Sequence, residues 1–384
     1  MEDTPPLLAG HRVEKGGGRE LLVDGKPILN FAGCNYLALG DRQELRDVAR
    51  QAIDDGLMFS KYLVRDYGGY DESFERVEAA AASYFGTEGA VYLPSGYLIG
   101  AAGLTGLRPL YDVLVLDEMA HWCLSDAAEL IDAPVVTFRH GDIGDLESVL
   151  ESVAGQRPLL VTDGAFATTG EVPPLDEYYR LIDAHDGHLF VDESHAAGVV
   201  GPNGRGAADH FKLGDRAHVA ATLSKGLCGQ GSVFVGTMAQ VERARTSRAL
   251  RGSSPGSPIS ALVSAAALDM ARDSAQLRAS LRDKAQRLRQ CLRDLGLNVL
   301  ETPASIAAFA DGDFDSMRGL QSFLFSRGIY VLHSNYIAAG QGGMIRLSVF
   351  ADHTDSDIAR VSEDIALWRE GRMSQGADLR VDAG

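Results

Sequence analysis

Leu189-Phe-Val-Asp-Glu-Ser-His195 decides how the chain is read. Three apolar residues run straight into a carboxylate, with no polar residue alternating among them. That suits a strand covered on both faces, whose last residue emerges at the carboxyl end of a sheet. Similar runs lie on either side. Ala90-Val-Tyr-Leu93, Val113-Leu-Val-Leu116 and Leu159-Leu-Val-Thr162 precede it, and Val219-Ala-Ala-Thr222 and Ser232-Val-Phe-Val235 follow it. Helical patterns fill the intervals, as over Glu72 to Phe85 and Leu175 to His185. Such alternation predicts an α/β fold with a mostly parallel central sheet.

Towards the termini the pattern changes. Glu20-Leu-Leu-Val23 reads as a strand and Asp24-Gly25-Lys26 as a turn. Arg251 to Pro258 is a loop, and a long helical region follows from Ile259 to Leu295, with a break near Asp273-Ser274. Strand candidates at Gly328 to Leu332 and Met344 to Val349, then a helix from Asp355 to Trp368, predict a smaller α+β C-terminal domain. The expected organisation is an N-terminal segment 1–34, a large domain 35–273, a small domain 274–370 and a disordered polar tail 371–384.

A formal net charge of -17 argues against nucleic acid or an anionic membrane as the main partner, since like charges repel. Cys34, Cys123, Cys228 and Cys291 are widely spaced, with no CxxC pair. No disulfide framework and no metal site is expected, and a reducing cytoplasm is the default. Met1 to Pro6 is acidic and proline-bearing, unlike a signal peptide. No apolar stretch reaches the roughly 18 residues that a membrane span needs.

In an open α/β sheet, ligands bind beyond the carboxyl ends of the strands, so the polar residues placed there carry the chemistry. Asp192 ends a buried strand, where a carboxylate is costly unless paired. A protonated pyridine nitrogen of pyridoxal 5'-phosphate (PLP) is one partner; a helix N-cap or a structural ion pair is the plainer alternative. Lys225, in Thr222-Leu-Ser-Lys-Gly226, lies 33 residues further on in a small-residue turn. It can reach an aldehyde, or it is a surface lysine. In Tyr92-Leu-Pro-Ser-Gly-Tyr97 a strand runs into a helix start whose backbone N–H groups favour phosphate. His121, in Leu116-Asp-Glu-Met-Ala-His121, can stack on a planar ring or serve structure alone. By residue type, Arg346 reads as a strand-edge surface residue.

Taken in order, these segments resemble the α-oxoamine synthase family of PLP-dependent fold type I enzymes, from about Leu21 to Trp368. The residues that carry the resemblance are Asn35-Tyr-Leu37, Val191-Asp-Glu-Ser-His195, Gly198, Gly201-Pro-Asn-Gly-Arg-Gly206, Thr222-Leu-Ser-Lys-Gly226 and Ile345-Arg-Leu347. The resemblance implies that Lys225 forms the internal aldimine and moves protons at the substrate α-carbon. Asp192 would pair with the pyridine nitrogen, His195 with the ring 3'-oxygen, and His121 would stack on the ring. Ser95, Gly96, Tyr97 and Thr222 would hold the phosphate, with Asp163 also at the cofactor. Ser253 or Ser254 would reach the phosphate of the neighbouring subunit, because family members are homodimers with shared sites. Arg346 and Asn35 would grip the substrate carboxylate. The implied reaction condenses an amino acid with an acyl thioester, on CoA or a carrier protein, usually with decarboxylation.

Some segments depart from the family pattern. The usual Gly-rich stretch reads Phe59-Ser-Lys-Tyr-Leu-Val-Arg-Asp-Tyr-Gly-Gly69, and Phe74 stands where a histidine is usual. Ala167 replaces a serine near the ring oxygen, and Trp122 replaces a small residue. His333-Ser-Asn-Tyr-Ile-Ala-Ala-Gly340 replaces a proline-rich approach to Arg346. These changes fall on the thioester side, which points to an unusual acyl donor. They also keep open an aminotransferase or an amino-acid decarboxylase or lyase of the same fold.

Overall fold

The computed structural model describes residues 7–61, 67, 69, 71–337 and 339–381. Residues 62–66 and 68 of the altered Gly-rich stretch, Ala338 of the approach to Arg346, and Met1 to Pro6 lie outside the described residues. The chain divides into two compact units, Met1–Gly33 with Thr168–Gly170 and Ala279–Gly384, and Cys34–Ala167 with Glu171–Arg278.

In the first unit, β1 (Val13–Gly16), β2 (Glu20–Val23) and β3 (Lys26–Asn30) form an antiparallel meander. The turn expected at Asp24-Gly25-Lys26 joins β2 to β3, with Asp24 and Gly25 at positive φ, but Lys26 already begins β3. The N-terminal strands are not a segment apart, since they share a compact unit with the C-terminal part of the chain.

The second unit holds a seven-stranded sheet. Its strands are β4 (Gly89–Leu93), β5 (Val113–Asp117), β6 (Val135–Phe138), β7 (Pro158–Asp163), β8 (His188–Asp192), β9 (Ala217–Thr222) and β10 (Ser232–Gly236). They lie in the order β4-β10-β9-β8-β7-β5-β6. β5 to β9 run parallel, and β10 is antiparallel to both of its neighbours. β4, β5 and β7 are buried at every position, as their unbroken apolar runs require. β6 was not expected; only Phe138 of its four residues is buried.

The helix Glu72–Phe85 fills the span expected for it. Asp71 accepts the Ser73 amide at its start, and Gly86 ends it in the left-handed conformation, with its N–H on the Ala82 carbonyl. Pro258–Arg272 starts on an Ser257 cap with proline in the first turn. It stops before Ala275–Asp294, so the long helical region breaks where Asp273-Ser274 predicts.

Back in the first unit, β11 (Ile306–Phe309), β12 (Ile329–Tyr330), β13 (Leu332–Ser334) and β14 (Met344–Ser348) complete the strands. The single strand expected at Gly328 to Leu332 is in fact two. β12 joins β3 in parallel, whereas β13 pairs with β14 in a three-stranded sheet with β11. The last helix, Asp355–Val381, passes the expected boundary at 370/371 and continues through the stretch expected as a disordered tail to Val381. Among the described residues, no helix is long and apolar enough to cross a membrane.

Candidate active site

The sheet of the second unit brings the separate motifs to one edge. β7 and β8 pair in parallel with Asp163 opposite Asp192, and Asp192 pairs onward with Ala220 of β9. Ser232 begins β10 opposite both Leu93 and Thr222. The end of β4 therefore meets the end of β9, and the Ser232 hydroxyl donates to the Ser95 carbonyl at 2.8 Å. Ser95, Thr222, Asp192 and Asp163 stand along that edge because of strand order and register.

Asp192 is buried at 3% exposure. Its carboxylate accepts the Ser194 amide at 2.9 Å and faces the Cys123 thiol at 3.8 Å, both neutral donors. Burial, then the Asp192 and Asp163 charges, push the Cys123 thiol up, so it keeps its proton. Burial, then Asp192, likewise hold the Asp163 carboxyl well above the usual carboxylate range. Asp163 accepts the His121 amide at 2.8 Å. His121 caps the helix Trp122–Glu129, with its Nδ1 accepting the Cys123 amide at 3.1 Å. That contact leaves the ring proton on Nε2. Burial lowers the His121 pKa, so the imidazole is neutral at physiological pH.

Lys225 is half-buried, in a turn closed by the Cys228 amide on its carbonyl at 2.9 Å. Its ammonium is close enough to influence His121, Cys123 and Asp163. Three residues before Lys225, Thr222 donates its amide to Ser194 Oγ at 2.9 Å, and its own hydroxyl lies 2.9 Å from Ser224 Oγ. Gly96 lies against this threonine: a Cβ there would come within 3.0 Å of Thr222 Oγ1. Ser95 accepts the Tyr97 amide, and Tyr97 stands edge-on to His121 at 6.3 Å.

These features fit a phosphorylated pyridine aldehyde. A buried carboxylate held by a neutral amide and a thiol suits a cationic pyridine nitrogen, a lysine stands on the same sheet edge, and a glycine–hydroxyl cradle begins a helical turn.

His195 is buried, with its Nδ1 2.8 Å from the Tyr36 hydroxyl. Glu193, between Asp192 and His195, points away from them. It accepts the amides of Ala207 and Ala208 at 2.7 and 2.8 Å, and a Cβ at Gly206 would come within 2.3 Å of its carboxyl. That contact gives the last glycine of Gly201 to Gly206 a physical reason, since Gly206 also sits at φ 117. Burial raises the Glu193 pKa to about 8 despite those two amides.

Other expected residues stand elsewhere. Ser253 and Ser254 line a cavity of about 420 Å³ with Lys61, Phe74, Arg245 and Arg251; Lys225 is not among its walls. Asn35 Oδ1 lies 2.7 Å from the Cys228 thiol, which donates to it. Arg346 belongs to the first unit. It is not on a strand edge: β14 is the middle strand, and the side chain is buried at 4% exposure, with Nη1 3.5 Å from the Gly33 carbonyl. The sequence motifs assign no role to Tyr36 or Cys123. Tyr36 sits inside the Asn35-Tyr-Leu37 motif, so a signal existed, whereas nothing near Cys123 in sequence points to Asp192.

The sequence profile of the aminotransferase class I and II family matches residues 26–365. The chain belongs to that family. An 8-amino-7-oxononanoate synthase from Dechloromonas aromatica is 31% identical over 357 residues, covering 90% of each chain. Serine palmitoyltransferase from Sphingomonas wittichii superposes with a TM-score of 0.88 at 25% identity, covering 95% of each chain. A solved serine palmitoyltransferase with PLP as internal aldimine has a TM-score of 0.88 at 23% identity, covering 94% of this chain and 92% of that one. Its relatives in the class I and II family are thus α-oxoamine synthases.

The departures from the α-oxoamine synthase pattern have definite places. Phe74 stacks on Tyr92 with ring centroids 5.8 Å apart and lines the cavity beside Ser253. Trp122, beside His121, is 55% exposed, and Ala167 is half-buried.

Proposed function

We propose that the protein is a PLP-dependent acyltransferase of the α-oxoamine synthase type. It joins an amino acid to an acyl thioester on CoA or a carrier protein, releasing the thiol and usually carbon dioxide to leave an α-aminoketone. The observation that carries this reading is the convergence of Lys225, Asp192, His121, and the Gly96–Thr222 cradle on one sheet edge. Four scattered cysteines suit a reducing cytoplasm, and the resemblance to the family supports a homodimer with shared active sites.

Bound there, PLP supplies an electron sink for charge developing at the substrate α-carbon. Lys225 would hold the cofactor through its side-chain amine and would take and return the substrate α-proton. Asp192 would keep a proton on the pyridine nitrogen, and the His121 ring would help to hold the pyridine. His195 would hydrogen-bond the ring 3'-oxygen. Ser95, Gly96, Tyr97 and Thr222 would hold the phosphate, and Ser253 or Ser254 would reach the phosphate bound by a partner subunit. Arg346 and Asn35 bind the amino-acid carboxylate, with charge and orientation from the guanidinium.

The test is incubation of the PLP-loaded protein with small amino acids and a panel of acyl-CoA and carrier-bound acyl donors. Free thiol is expected with at least one pair. Conversion of PLP to pyridoxamine phosphate, with no thiol from any donor, would make the protein an aminotransferase instead.

A further inference from the structure

Beside the row of strand-end carboxyls lies a second charged cluster, to which the chemistry above gives no role. Asp117 ends β5 with its side chain fully buried. Its carboxylate accepts the Thr162 hydroxyl at 2.9 Å, the Met119 amide at 3.0 Å and His140 Nδ1–H at 2.9 Å. His140 turns its other ring nitrogen to Glu171, 3.4 Å away, and rests on the Phe166 ring with centroids 4.3 Å apart. The His140 amide donates to Glu118 Oε1 at 3.1 Å. Burial alone would strip the imidazole of its second proton. Hydrogen bonds to Asp117 and Glu171 reverse that and raise its pKa to about 10, so the ring is a cation at neutral pH.

Each anchor of this cation leads into a loop that carries an active-site candidate. Asp117 holds the Met119 amide through its side chain and the Ala120 amide through its carbonyl. The next residue is His121, whose own amide is held by Asp163. Glu171 closes the loop that leaves Asp163, since its carbonyl accepts the Phe166 amide at 2.8 Å, and Ala167 lies within that loop. One imidazolium therefore bridges the loop that presents His121 and the loop that begins at Asp163.

We propose that His140 is a positioning residue of the active site. Held between Asp117 and Glu171, it sets the two loops so that His121 and Asp163 meet the cofactor in register. The inference rests on the PLP reading above. A cation that merely stabilises the fold would leave the surroundings of the bound cofactor unchanged when removed.

The experiment uses full-length holoenzyme carrying His140→Gln or Glu171→Gln, with three readouts. These are the visible circular dichroism of bound PLP, the split of kcat against the amino-acid KM, and the Tm of the apoprotein. For His140→Gln we expect altered dichroism and a kcat lower by about 10- to 100-fold, the scale of a small misplacement of reacting groups, with KM near wild type. Glu171→Gln, which removes the more exposed partner, is expected to shift both in the same direction by less. A lowered Tm with wild-type dichroism and kcat overturns the proposal. If His140→Gln fails to fold, wild-type dichroism and kcat in Glu171→Gln overturn it equally. A wild type that takes up no PLP removes both this inference and the function it rests on, whereas unaffected variants of an active wild type remove this inference alone.

Discussion

The Tyr36 hydroxyl lies 2.8 Å from His195 Nδ1, with both side chains buried and 159 residues between them in sequence. A phenol can donate to Nδ1 of one neutral tautomer or accept from Nδ1–H of the other. The proposed bond to the ring 3'-oxygen needs Nε2–H, and so the arrangement in which Tyr36 donates to Nδ1. Tyr36→Phe is expected to lower kcat/KM by about tenfold, the equivalent of roughly 1.4 kcal/mol, and to shift the pH midpoint of the cofactor absorbance. Wild-type values for both would leave Tyr36 as packing only.

Lys225 makes the covalent claim. Borohydride reduction of the yellow wild-type protein, followed by peptide mass spectrometry, should place the cofactor on Lys225. Lys225→Ala should carry none, with activity down by about three orders of magnitude. A labelled peptide from another lysine would refute the assignment.

Gly96 tests the phosphate cradle. In Gly96→Ala the new methyl comes within 3.0 Å of Thr222 Oγ1 and 3.2 Å of its Cβ. Overpacking of this kind costs about 1–3 kcal/mol, so PLP affinity should fall by at least about fivefold while the fold persists. Fluorescence titration of the apoprotein measures it, and unchanged affinity counts against phosphate at this turn.

Arg346→Lys keeps the charge but loses the planar fork. The amino-acid KM should rise by about 10- to 100-fold, with PLP affinity unchanged. A KM within twofold of wild type would place the substrate carboxylate elsewhere.

His188 Nδ1 and His218 Nε2 lie 2.9 Å apart on neighbouring strands. Burial, then His188, press the His218 pKa down to about 3, and burial lowers His188 too. Both folded values lie below the unfolded value near 6.5. Their stabilising contribution is therefore complete above about pH 6.5; the His218 part is lost as pH falls towards 3, at up to about 1.4 kcal/mol per pH unit, and His188 acts in the same direction. Urea midpoints between pH 7 and 5 should fall more steeply in wild type than in His218→Gln. Parallel slopes would exclude the pair as the cause.

The sequence by itself determined whatever depends on neighbours in the chain. Unbroken apolar runs placed β4, β5 and β7 to β10 within a residue or two, because a strand buried on both faces tolerates no polar alternation. Motif order placed Asp192 at a strand end and Lys225 in the turn after the next strand, and Asp273-Ser274 marked a helix break for local reasons. β1, β3, β6 and β11 escaped: β1 and β6 are largely exposed, β3 opens on the exposed Lys26-Pro27, and Ile306-Ala-Ala-Phe309 lacks a β-branched run.

Tertiary structure alone decided what depends on strand order and register. The parallel pairing of β3 with β12 joins chain ends some 300 residues apart, and no local pattern announces it. Burial of Arg346 follows from β14 being the middle strand of its sheet. The contacts Tyr36–His195, Cys123–Asp192 and Asp117–His140–Glu171 each join residues on different elements. Such contacts exist only once the sheet has assembled, because their geometry is set by cooperative packing of the whole unit and not by the preferences of any one segment.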